Sequence, residues 1–267
     1  MYVEDRSMHQ YALLLAYNGT HFAGWQEQAP GRGVTVAGEV KRTFIRVFNH
    51  QISLVGASRT DAGVHALGQV AGIRTTLDIA PDTLRFALQN QLPKDIYLRR
   101  VIKVSASAHP QKNVAWKEYQ YHVARRSVMP YLAPYCAQHP YAIDFDRLSW
   151  ALAQFKGVHD FWAFGSSSSD YAGVSTICSV THASCSRLRH TGIVRMVIRG
   201  DRFIHHMVRR IVGAALRYAS YPELDEAYIY STLTRTVDRM IIPTASAAGL
   251  VLRKIVYREG EGYEWTS

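Results

Sequence analysis

The apolar run Tyr11–Tyr17 predicts a strand, and the next apolar set changes period. Val36, Val40, Phe44, Val47 and Phe48 recur at helical spacing behind Thr35, a residue suited to cap a helix, with Lys41, Arg42 and Arg46 on the other side. Strands follow at Ile52–Val55, Leu67–Thr75 and Ile96–Val104, and a helix at Pro81–Asn90, so the first half reads β-α-β-β-α-β. The order repeats. Tyr119–Ala124, Thr176–Arg187, Ile193–Ile198 and Leu250–Val256 predict strands, and Phe145–Phe155 predicts a helix. A last helix is predicted from about Phe203 to Tyr218, because Ile204, Met207, Val208, Ile211, Val212 and Ala215 form an i, i+3, i+4, i+7 stripe. The expected fold is α+β, with two pseudo-symmetric ferredoxin-like halves whose antiparallel sheets join edge to edge and leave a central cleft. The halves are expected at 8–108 and 114–258, joined through the polar stretch Ser105–Val114, and Gly165–Asp170 reads as a mobile surface loop.

Composition narrows the class. With 267 residues, 48% of them hydrophobic, the chain buries a real core and is not an intrinsically disordered one. Its 31 Lys and Arg against 21 Asp and Glu leave a net charge of +10, an excess that attracts a polyanion and makes nucleic acid the leading partner class. On charge alone the predicted cleft would suit RNA or DNA. Cys136, Cys178 and Cys185 are odd in number and form no C-x-x-C pair, so they read as buried reduced thiols of a cytoplasmic protein. The first residues lack the basic and apolar segments of a signal peptide, and no apolar run is long enough to span a membrane. Asn18-Gly19 reads as a tight turn.

Several chemistries are excluded by their missing motifs. The third glycine after Gly31-x-Gly33 falls at Gly38 and not at Val36, so the dinucleotide fingerprint fails; a Walker loop, H-E-x-x-H and the zinc-deaminase pair are absent too. His205-His206 has no accompanying cysteine or carboxylate cluster and reads as structural or RNA-facing. Two stretches stand out. Gly56–Val70 contains Arg59-Thr60-Asp61-Ala62-Gly63-Val64-His65 between two apolar strands, where catalytic groups tend to sit, although a plain turn with a solvated Arg59 fits as well. In Asp201–Gly213 the residues His205, His206, Arg209 and Arg210 lie off the apolar stripe and edge a basic surface, while Gly213 leaves space for a close approach.

Together these stretches closely resemble the tRNA pseudouridine synthases of the TruA type. That family carries a loop G-R-T-D-A-G-V-H-x-x-G-Q-V, a helix F-x-H-H-M-V-R-x-I-V-G and a terminal G-L-x-L strand, here Gly249-Leu250-Val251-Leu252. Tyr17-x-Gly19-x-x-Phe22-x-Gly24-Trp25-Gln26 matches its opening motif, and the likeness runs from about Tyr11 to Val256. The resemblance implies isomerisation of uridine to pseudouridine in the anticodon stem-loop of tRNA at positions 38, 39 and 40. It implies base flipping, no metal or cofactor, and a homodimer. By the same resemblance Asp61 is the catalytic aspartate, as nucleophile or as base, and Arg209 its basic partner. Arg59 occupies the space left by the flipped nucleotide, Tyr119 stacks on the target base, and Leu250 belongs to the substrate-binding set. Stacking on Tyr119 restores part of the energy an extruded base loses, about 1–3 kcal/mol. This chain departs from the family where it has Pro110-Gln111-Lys112 after His109, Ala37 after Val36, and Gly165; these losses bear on RNA contacts and target range. An RNA-binding module without catalysis is the competing reading, and keeping Arg59, Asp61, Tyr119 and Arg209 together argues against it.

Overall fold

The computed structural model describes residues 8–29, 31–126, 128–165, 175–234, 242–260 and 263. The predicted loop run 166–170 lies outside them, and Gly165 lies inside. The chain divides into two compact units, 1–115 with 252–267, and 116–251.

The first unit begins with β1 (His9–Tyr17), the helix α1 (Val36–Phe48), β2 (Ser53–Gly56) and β3 (His65–Thr75), followed by α2 (Pro81–Gln89) and β4 (Ile96–Val104). Thr35 caps α1 as its sequence suggests: its side-chain oxygen accepts from the Gly38 N–H, and Asn49 closes the other end with φ 48°. β1 runs antiparallel between β3 and β4, with Leu13 opposite Ala71 on one side and Val101 on the other. β2 pairs antiparallel with the far edge of β3, from Ser53 opposite Arg74 to Gly56 opposite Ala71. The two helices pack on each other, and α2 also lies on β4. Tyr11, Leu13, Leu15, Val36, Phe44, Ile73, Leu84 and Leu88 are all but sealed from water. Each such aliphatic or phenyl side chain contributes about 1.5–3 kcal/mol by leaving water.

The second unit contains β5 (Val114–Ala124) from Trp116 onward, a two-residue β6 (Ala137–Gln138), the helix α3 (Phe145–Gln154), β7 (Gly157–Asp160), β8 (Ile177–Arg187), β9 (Ile193–Gly200), α4 (Met207–Ser220) and α5 (Glu226–Thr232). Its strands run in the order β5-β9-β8-β7, and β6 pairs with β5 in parallel. Tyr119 faces Ile198 and Tyr121 faces Met196 across the β5–β9 ladder. Asp144 caps α3 by accepting from the N–H groups of Asp146 and Arg147. The Arg147 guanidinium in turn donates to the carbonyls of Tyr218, Tyr221 and Leu224, which satisfies carbonyls otherwise orphaned where α4 ends. The last strand, β10 (Leu250–Tyr257), supplies Leu250 and Val251 to this unit and its residues from Leu252 to the first.

The expected α+β class is observed. α4 starts four residues later than its stripe predicts. Asp201 accepts from the N–H groups of Ser179 and Arg202, and His206 sits at φ 65°, so 201–206 is non-helical, with a turn at the two histidines that precede the helix. Cys136 and Cys178 are buried and Cys185 partly so, all three unbridged. Burial pushes the Cys178 thiol up to about 11, which keeps it protonated and inert at neutral pH.

Candidate active site

In the first unit Asp61 stands in the loop between β2 and β3. The β2–β3 ladder ends at Gly56 and one further backbone bond joins Ala57 N–H to the Val70 carbonyl at 2.8 Å, after which the chain leaves the sheet. Ser58 and Thr60 turn inward and are buried, Arg59 is exposed, and Asp61 is half-buried. A turn follows, with Val64 N–H donating to the Asp61 carbonyl at 3.2 Å and Gly63 at φ 77°.

A second loop, 18–26, braces the first. Trp25 N–H donates to the Thr60 carbonyl at 3.0 Å and Gly63 N–H to the Phe22 carbonyl at 3.2 Å. Gly19 N–H donates to His65 Nδ1 at 3.0 Å. A Cβ on Gly19 would lie 2.0 Å from the Val64 carbonyl oxygen, so no other residue fits there. The tight turn predicted at Asn18-Gly19 is therefore a docking contact: the Asn18 side chain accepts from Thr20, and the glycine admits the neighbouring loop. The opening motif Tyr17–Gln26 thus carries a supporting role that the sequence signalled only as a set of glycines and aromatics.

In the second unit Tyr119 is 5% exposed and meets Phe203 edge-on, ring centroids 5.3 Å apart. Tyr121 projects on the same face of β5, donates to the Ser246 carbonyl at 3.0 Å, and has its hydroxyl pKa pushed up by burial, against the opposing pull of the Arg209 charge. Arg209, half-buried in the first turn of α4, donates through Nε to the Ala245 carbonyl at 2.8 Å, and Ala245 N–H returns a bond to the Arg209 carbonyl at 3.1 Å. Gly213 is where that segment crosses, since a Cβ would fall 1.9 Å from the Pro243 oxygen. The approach expected at Gly213 is thus the chain itself. Leu250, at the start of β10, is 5% exposed.

Arg210 does not edge a basic surface. It is 8% exposed, and its guanidinium donates to the carbonyls of Ala163 and Gly165 at 3.2 and 2.6 Å and to Thr244 Oγ1 at 3.3 Å. The cations of α1 are engaged too: Lys41 with Glu27, Arg42 with Glu39, and Arg46 with the Gln91 carbonyl at 2.7 Å. At the departures from the family pattern, Gln111 donates to the Gly56 carbonyl at 2.9 Å, and Gly165 supplies the oxygen that Arg210 holds. The structure therefore gathers Arg59 and Asp61 on one loop of the first unit, and Tyr119, Arg209 and Leu250 on β5, α4 and the start of β10 within the second.

The family model for tRNA pseudouridine synthase matches residues 14–111 and 151–258. A tRNA pseudouridine synthase A of a Thermoanaerobacter species (strain X514) is 33% identical over 251 residues, covering 94% of this chain and all of its own. One of a Geobacillus species (strain WCH70) is 36% identical over 249 residues, covering 91% and 96%. The enzyme of Thermodesulfovibrio yellowstonii is 30% identical over 256 residues, covering 92% and 98%. The chain belongs to the tRNA pseudouridine synthase family. It is accordingly an enzyme of the isomerase class.

Proposed function

We propose that this protein isomerises uridine to pseudouridine in the anticodon stem-loop of tRNA, at one or more of positions 38, 39 and 40, without metal or cofactor. The reaction breaks the bond from the ribose C1′ to N1 of the base, turns the base, and forms a bond from C1′ to C5; the C5 proton leaves to solvent. Asp61 acts on the flipped nucleotide as nucleophile or base, and a carboxylate serves either role while ionised. Arg209 pairs with it and favours that ionised form, Tyr119 stacks on the base, Leu250 lines the pocket, and Arg59 fills the vacated position in the RNA. The aspartate loop belongs to the half at 8–108, and the tyrosine strand and basic helix to the half at 114–258, whose strand residues from Leu252 on cluster with the first unit. The protein acts as a homodimer in the cytoplasm.

The observation that supports this best is the braced loop at Asp61. Ser58 and Thr60 are buried while Arg59 is exposed and Asp61 half-buried, an arrangement that offers a charged pair to a ligand from a fixed base. The net charge of +10 suits a polyanionic substrate. Incubation with unmodified tRNA transcripts, followed by carbodiimide-dependent primer-extension mapping, tests the reading. Pseudouridine confined to positions 38–40 is expected. Modification elsewhere would reject the target assignment, and tRNA binding without any pseudouridine would mean an RNA-binding module.

A further inference from the structure

The segment that carries Arg59 and Asp61 is held by a side chain that takes over from the β-ladder. Gln69 lies on β3 and is wholly buried. Its carboxamide faces the backbone of Ser58, accepting from the Ser58 N–H at 3.3 Å and donating to the Ser58 carbonyl at 2.7 Å. An exchange of both bonds with one residue is what a neighbouring strand provides, and here it begins one residue after the last backbone bond, Ala57 N–H to Val70. The same amide reaches the Tyr17 hydroxyl at 3.5 Å, and that hydroxyl shares a 2.7 Å hydrogen bond with Thr60 Oγ1. Tyr17 is 4% exposed and stacks on Trp25, whose N–H holds the Thr60 carbonyl.

Gln69 therefore grips residue 58 and Tyr17 grips residue 60. Position 59, between them, is exposed, and position 61, just after, is half-buried. A buried polar group left without its partner is costly, so an alternative loop position that breaks these bonds is disfavoured. We infer that Gln69, with Tyr17, is a positioning residue for Asp61: its carboxamide fixes the loop so that the carboxylate meets the nucleotide in one geometry. The inference rests on the catalytic assignment of Asp61 made above.

The test compares single-turnover rates at saturating tRNA with the equilibrium affinity for tRNA, well below the melting temperature. Gln69→Met keeps the volume and removes both hydrogen bonds. The rate should fall about 10- to 100-fold, the penalty of a small misplacement of a reacting group, while affinity changes less than about twofold. Gln69→Glu adds a signature that a merely structural role would not give. Its ionised carboxylate cannot donate to the Ser58 carbonyl, but the protonated acid can, so its rate relative to wild type should recover as pH is lowered. Tyr17→Phe, which deletes one hydroxyl, carries the same comparison if the Gln69 variants fail to fold, and its rate should fall with affinity kept. An unchanged rate in folded Gln69→Met or Tyr17→Phe overturns the inference, as does an equal loss of rate and affinity. Asp61→Ala is run beside them. If it retains turnover, the catalytic assignment fails; if it is inert while Gln69→Met is fully active, only the positioning role fails.

Discussion

Arg209 and Arg210 are adjacent, both lie off the apolar stripe, and they do different work. Arg209 is half-buried with its Nε on the Ala245 carbonyl, whereas Arg210 is sealed against the carbonyls of Ala163 and Gly165. Nothing in the stripe separates them, because an arginine satisfied by distant carbonyls leaves no local pattern. Tyr119 was legible as a strand aromatic, and its edge-on contact with Phe203 explains why its ring is fixed. Tyr119→Phe keeps that ring contact, so tRNA affinity should stay within about twofold while turnover drops by about tenfold or more; full activity in single-turnover assays would show the hydroxyl has no part. Lys117 shares the face of Tyr119, and burial lowers its pKa from the ordinary 10.5 to about 8. Between those values the unfolded chain holds more protons than the folded one, so the group's opposition to folding is greatest below about 8 and fades as pH rises through that window. Lys117→Met should therefore melt higher than wild type at pH 7, with the margin narrowing by pH 9.5. A margin that stays constant in thermal melts would contradict this.

Local period located most of the expected helices and strands, although several ends moved, with β5 beginning at Val114 rather than Tyr119. β4 occupies Ile96–Val104 as predicted, and Thr35 caps α1, because local periodicity and a capping side chain decide those elements. The start of α4 was not readable. Ile204 keeps the apolar register, but Asp201 draws the preceding backbone into a turn through Ser179, a residue far off in sequence. β6 is two residues long and exists by pairing with β5, so no pattern marks it. Gly213 tests the packing of α4. Alanine there gains about 1 kcal/mol of helix propensity, yet its methyl would meet a backbone oxygen that cannot swing aside, and overpacking costs about 1–3 kcal/mol. Gly213→Ala should lower the melting temperature by about 2–6 °C; a rise would mean the 243–245 segment yields freely.

For the whole molecule, the sequence disclosed the α+β class and the aspartate loop, but the brace around that loop depends on contacts between residues 17–25 and 57–65, whose spacing no local pattern encodes. The charge of +10 makes tRNA binding salt-sensitive, with log K falling by about 0.7–0.9 per phosphate contact for each unit of log salt. Filter binding from low to moderate salt should give a steep negative slope, and a slope near zero would remove the electrostatic account of substrate capture. The central claim is that Asp61 performs the chemistry, and release of tritium from tRNA labelled at uridine C5 reads it most directly, since that proton must leave when C5 becomes the glycosidic carbon. Asp61→Ala and Asp61→Asn, shown to be folded by circular dichroism, should release none while binding tRNA at least as tightly as wild type, because each removes a negative charge facing a polyanion. Release above background by either folded variant would contradict the account.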